Sequence, residues 1–225
     1  MVLLSDLLDA KIAVRDEGEA MVSLRGAPGI LVDESKSEIA SRSGHFCFVR
    51  ATLRRKLVEA ASFLPEGFFL LVKEGYRPAS RQRASFEAAR AKYAARFPGL
   101  DEAGLLAEVS RYVAPPEVAG HPTGGAVDLT LFCGGREVFM GTKFNEEPAE
   151  TGGLTFLDAP GLPEEPRAAR AVLRRVLEGV GLVNYPPEWW HWSYGDKYWA
   201  HAAGRDALYG PVEEESLAAA PGRHD

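Results

Sequence analysis

His121-Pro-Thr-Gly-Gly-Ala-Val-Asp128, running on into Leu129-Thr-Leu-Phe132, constrains this 225-residue chain more than any other stretch. Gly124 and Gly125 make a tight turn, because glycine takes positive φ without steric cost. Ala126 to Phe132 then reads as a short buried strand. Val127, Leu129 and Leu131 share one face, and Ala126, Asp128 and Thr130 share the other. An acid inside an apolar run is costly unless its charge is compensated. A metal ion would compensate Asp128, and His121, just ahead of the turn, can swing back to the same place. One imidazole nitrogen and one carboxylate oxygen are half of a catalytic zinc site, which commonly keeps three protein ligands and one open position. The rest of the chain has to supply the third ligand and a base.

At 46% hydrophobic and 26% charged residues, the chain can bury a sizeable core as one domain, here set at 1–212 with a flexible tail from 213 to 225. A net charge of -6 argues against nucleic-acid binding, which favours a basic stripe. Cys47 and Cys133 are too few for a disulfide framework, and Cys133 reads as a small buried thiol. The N-terminus has no basic n-region, and no apolar run approaches the ~20 residues of a membrane span. These features lead to the expectation of a soluble cytoplasmic protein with no membrane partner.

Helical spacing places helices over 52–64, 80–96, roughly 101–113 and 164–179. Apolar runs at 68–72, 126–132 and 182–183, and the Glu188-Trp-Trp-His-Trp-Ser-Tyr194 run, read as strands, with a hairpin turn at Gly134-Gly135. Phe46-Cys-Phe-Val49 reads as a strand or as the approach to a helix. Residues 141–163 show no period and read as a wall or lid over the site. Few strands with helices between them predict an α+β fold: a small, mostly antiparallel sheet with helices packed on it.

His224 falls in the tail and His45 in a polar segment near no acid cluster, so both read as solvated; His201 reads as surface or packing. His191 differs, because Trp189, Trp190 and Trp192 flank it. A histidine among tryptophans is costly as a cation and well suited as a neutral metal ligand. Taken alone, it reads more simply as a core histidine. Glu188 shifts that balance. Pro186-Pro187 permits a bend that puts Glu188 on a turn and His191 on a strand, both facing the metal. Glu188 would then take a proton from a water activated by the metal and pass it to a leaving amine. Arg77, in Glu74-Gly-Tyr-Arg-Pro78, would stabilise an oxyanion, hold a substrate carboxylate, or simply pair with Glu74.

Quoted together, Glu74-Gly-Tyr-Arg-Pro78, His121-x6-Asp128-Leu-Thr-Leu131 and Glu188-Trp-Trp-His191 resemble the three signatures of D-alanyl-D-alanine dipeptidases. This is the family of the vancomycin-resistance dipeptidase, among zinc D,D-peptidases related to D-alanyl-D-alanine carboxypeptidases and the hedgehog domain. The resemblance runs from about residue 45 to 200, and Met140-Gly-Thr-Lys-Phe144 extends it. It implies one zinc held by His121, Asp128 and His191, Glu188 as general base and acid, Arg77 on the transition state, and a small D,D-dipeptide as substrate. Two positions depart from the family pattern. Ala119 stands where a serine is usual, and Asn145 where the vancomycin-resistance enzyme has an aspartate. The rival readings are a D,D-carboxypeptidase or endopeptidase on longer wall peptides, a non-catalytic zinc-binding interaction module, and an iron oxygenase with a two-histidine, one-carboxylate triad.

Overall fold

The computed structural model describes residues 1–35 and 43–218. A 3-10 turn at Leu4–Leu7 precedes β1 (Met21–Ser23), β2 (Ile30–Val32) and β3 (Phe48–Arg50). There follow α1 (Ala51–Ser62), β4 (Phe68–Glu74), α2 (Ala79–Arg96), α3 (Glu102–Ser110), β5 (Ala126–Cys133) and β6 (Arg136–Glu137). The chain continues through α4 (Glu164–Gly179), β7 (Val183–Asn184), β8 (His191–Ser193), α5 (Lys197–Ala203) and α6 (Glu214–Ala218). The main sheet runs β2-β4-β5-β8-β7, with β6 hairpinned onto β5. Only the β2–β4 pairing in it is parallel. The α+β expectation of a small, mostly antiparallel sheet is therefore met.

β5 is central and buried from Ala126 to Leu131. Val127, Leu129 and Leu131 join the principal core with Leu53 and Leu57 of α1 and Leu173, Val176 and Leu177 of α4. Burying such side chains contributes roughly 1.5–3 kcal/mol each. The opposite face of β5 is where Asp128 points. A second cluster, Ala89 and Tyr93 of α2 with Leu105 and Val109 of α3, holds those two helices together beside that face.

Some local expectations are corrected. The 188–194 run is not one strand: Glu188–Trp190 forms a turn, and only His191–Ser193 pairs in the sheet. Glu188 N donates to Tyr185 O at 2.9 Å and His191 N to Glu188 O at 3.2 Å, so the Pro186-Pro187 bend carries on into a second turn. His45 is half-buried rather than solvated, 3.7 Å from Glu214 and edge-on to Phe48. Cys133 is half-buried at the end of β5. His201 is exposed, as expected. His224, with the rest of 219–225, lies outside the described residues.

Candidate active site and metal centre

Register brings the site together. Glu74 of β4 lies opposite Asp128 of β5, and Asp128 lies opposite His191 of β8. Three strands thus place Glu74, Asp128 and His191 in one row across the sheet. A bulge between Val72 and Glu74 re-aims the end of β4, as bulges beside sites often do.

His121 reaches this row from the turn before β5. Gly124 has φ 69°, the left-handed conformation the turn needs. Gly125 serves close approach instead, since a Cβ there would lie 2.8 Å from Tyr194 O. His121 Nδ1 is 2.6 Å from Gly75 O. A carbonyl only accepts, so Nδ1 donates to it, and Nε2 is the ring nitrogen turned toward Asp128 and open to a metal. That nitrogen is 3.3 Å from Asp128 Oδ1, and His191 Nδ1 is 2.9 Å from the same oxygen. The three donor atoms lie within 4.8 Å of one another, all on buried residues. Two donors ~2.0–2.1 Å from a tetrahedral zinc stand about 3.3–3.4 Å apart, so the set fits such an ion with little movement. The hydrogen bond to Gly75 is the outer-shell support that metal-ligating histidines use.

Glu188 Oε2 lies 3.9 Å from His191 Nδ1, and the residue is 8% exposed. Burial, and then the negative charge of Asp128, push its carboxyl well above the usual range; His121 and Arg77 act in the other direction. Burial also works to raise Asp128, but the charges and hydrogen bonds of His121 and His191 outweigh it and hold Asp128 below its ordinary value. Two carboxylates in one cavity are thus driven apart, the pattern expected of a ligand beside an acid–base group.

Arg77 meets both sequence readings. It pairs with Glu74 through Nε–Oε1 (3.0 Å) and Nη2–Oε2 (2.5 Å), and it also lines the cleft that holds His121, Asp128 and His191. Gln82 accepts from its Nη1 at 2.8 Å. Although burial lowers its pKa, the charge of Glu74 and its hydrogen bonds more than compensate, so Arg77 stays a cation.

The cleft holds about 520 Å³. Arg77, His121, Asp128, Glu188 and His191 all line it, and so do Asn145 and Glu147 from the 141–163 segment. The start of that segment thus borders the site, while residues 157–160 and 162 line a separate cavity with α4. Sequence reasoning missed the cleft roles of Gln82, Tyr112 and Glu147. Helical spacing gives Tyr112 a place on an apolar stripe and no sign of a cleft, and Glu147 sits in a segment without period.

The sequence matches the family described as D-ala-D-ala dipeptidase over residues 32–205. A D-alanyl-D-alanine dipeptidase of Enterococcus faecalis is 30% identical over 165 residues, 66% of this chain and 72% of that protein. One from Synechocystis is 26% identical over 229 residues, 84% of this chain and 87% of that protein. Among solved structures, VanYB in complex with D-alanine-D-alanine aligns with a TM-score of 0.40 at 20% identity, over 76% of this chain and 83% of that one. From the extent of the family match and the shared signatures, this chain belongs to the D-ala-D-ala dipeptidase family.

Proposed function

We propose that this protein is a zinc-dependent hydrolase of D-alanyl-D-alanine or a similar D,D-dipeptide, with one zinc per chain held by His121, Asp128 and His191. The observation that carries the reading is the convergence of those three donor atoms beside an otherwise uncoordinated, buried Glu188. Zinc held by these three residues would supply Lewis acidity and would lower the pKa of a nearby water toward ~7. Glu188 accepts the water's proton and later delivers it to the leaving amine. Arg77, oriented by Glu74 and Gln82, presents positive charge where the oxyanion develops. Trp190, packed edge-on against Phe144, lines the cleft.

Among the described residues, no helix is long and apolar enough to cross a membrane. A cytoplasmic setting fits the two free cysteines. Metal analysis of protein purified without chelator, with a ninhydrin assay on D-alanyl-D-alanine, tests the reading. About one zinc per chain and release of D-alanine are expected. Full turnover by rigorously metal-free protein would sink it.

A further inference from the structure

One loop, from 184 to 191, carries both Glu188 and His191. Glu188 Oε2 and His191 Nδ1 stand 3.9 Å apart, and the path of the backbone between them sets that gap. A base displaced by about 1 Å from its working position can lose roughly a hundredfold in rate. What stiffens this loop therefore matters to the chemistry.

The backbone hydrogen bonds inside the loop run in series. Tyr185 N donates to His191 O at 3.0 Å, Glu188 N to Tyr185 O at 2.9 Å, and His191 N to Glu188 O at 3.2 Å. On the outer side, Trp189 N donates to Thr155 O and Leu157 N to Pro186 O, both at 2.9 Å. Those two bonds hold the loop to its neighbours without joining Glu188 to His191.

A single side chain braces the two together. Asn184 of β7 is paired with Trp192 of β8 and is buried. Its Nδ2 donates to Glu188 O and to His191 O, each at 2.9 Å. An amide nitrogen has two hydrogens, so one goes to each carbonyl and none is left over. The other half of the amide is idle: Oδ1 is buried and, among the described residues, accepts no hydrogen bond. An orphaned acceptor costs stability. Turning the amide over brings no relief, because Oδ1 would then face two carbonyl oxygens, which only accept. For packing alone, an apolar side chain of similar size would serve without that cost.

We propose that Asn184 is a positioning residue, which fixes the Glu188 carboxylate relative to the His191 imidazole by bracing both main-chain carbonyls with one amide. It is not among the residues lining the cleft, so it acts through the other two. This rests on the roles proposed above for Glu188 and His191 and adds the group that holds them in place.

The test compares native protein with Asn184→Leu, which keeps the bulk and removes both donors; Asn184→Ala gives the same comparison should the leucine variant not fold. Turnover of D-alanyl-D-alanine by the zinc-loaded full chain is measured well below each Tm and expressed per bound zinc. The substitution should lower kcat by about 10–100-fold with KM within about threefold. In a Glu188→Gln background it should lower kcat by less than about threefold, because a group that no longer transfers a proton loses little by being misplaced. Unchanged kcat, or equal losses in the two backgrounds, would overturn the proposal. Amide hydrogen exchange of metal-free protein reads the brace without turnover. The Glu188 and His191 amides should exchange about tenfold or more faster in the variant, with those of α2 unaffected. Unchanged exchange in the loop would overturn the brace. Faster exchange there, in a protein whose native form shows no turnover, would uphold the brace and defeat only the hydrolase reading.

Discussion

Glu74 grips Arg77 from within the sheet: two parallel hydrogen bonds, at 3.0 and 2.5 Å, join a guanidinium to a carboxylate with no solvent exposure. The planar fork is thereby aimed before any substrate arrives, and a lysine cannot reproduce it. Arg77→Lys is expected to lower kcat by roughly a hundredfold with little change in KM, the signature of an interaction made in the transition state. Steady-state kinetics decide; a change confined to KM would make Arg77 a ground-state contact. Arg77→Ala should also strand Glu74 as a buried, unpaired charge, at about 3–5 kcal/mol of stability in urea titration.

Metal removal should be felt by the fold as well as by the chemistry. The three donors come from β5, β8 and the turn before β5, so an ion shared among them ties these together. A ligand present at a thousandfold excess over its Kd stabilises by about 4 kcal/mol, and for a chain of this size that is about 8–16 °C in Tm. Chelation should lower Tm on that scale and zinc should restore it. Asp128→Ala protein, lacking the oxygen between the imidazoles, should melt at one temperature with or without chelator. A chelator response retained in that variant would remove Asp128 from the ligand set.

Much of this arrangement was legible in the sequence because it is carried by short-range pattern. The Asp128 strand alternates cleanly, Gly124-Gly125 marks the turn, and Pro186-Pro187 signals the bend that frees Glu188 from strand geometry. What stayed hidden depends on register and on contacts distant in sequence. Nothing local tells that Glu74 will stand beside Asp128, or that the carbonyl of Gly75 will fix the His121 tautomer. The parallel docking of β2 on β4 and the place of Glu147 in the cleft are of the same kind. His45 was misjudged because its neighbour Glu214 is 169 residues away in the chain.

The proton affinity of Glu188 gives a signed pH prediction for metal-free protein. Its carboxyl is raised above the ordinary 4.5 by burial and by Asp128. A raised folded-state pKa means that its contribution to stability is present below the unfolded value and is lost as pH rises through the folded value. Metal-free Glu188→Gln should therefore melt above metal-free native protein at neutral pH. The gap should close as pH falls below about 4.5, where Glu188 becomes protonated in both states. Asp128 is shifted the other way, and because its charge is one cause of the Glu188 shift, part of the gap reports the repulsion between the two carboxylates. Thermal melts in chelator across pH 4–8 measure this; a gap independent of pH would contradict the raised affinity. With zinc bound, Glu188→Gln should keep its metal and lose about 10²–10⁴ in kcat.

Gly120 tests how tightly the backbone presents His121. A Cβ built there would lie 2.1 Å from Asp196 Oδ2 and 2.8 Å from the Cβ of Ala126. Neither neighbour has room to retreat. Asp196 is buried, caps α5 by accepting from Trp199 N at 2.9 Å, and accepts from Ser193 Oγ at 2.7 Å. Ala126 is paired with Ser193 across β5 and β8. Gly120→Ala must therefore push the 120–121 backbone outward, and overpacking of this kind costs about 1–3 kcal/mol. Because His121 follows directly, its imidazole should leave the Gly75 carbonyl and the position beside Asp128. Zinc affinity should fall by about 10–100-fold, as when a histidine ligand loses its outer partner. Competition with a chromophoric chelator measures the affinity, and urea titration the stability. Unchanged affinity in a destabilised variant would show that the turn holds His121 in place without Gly120.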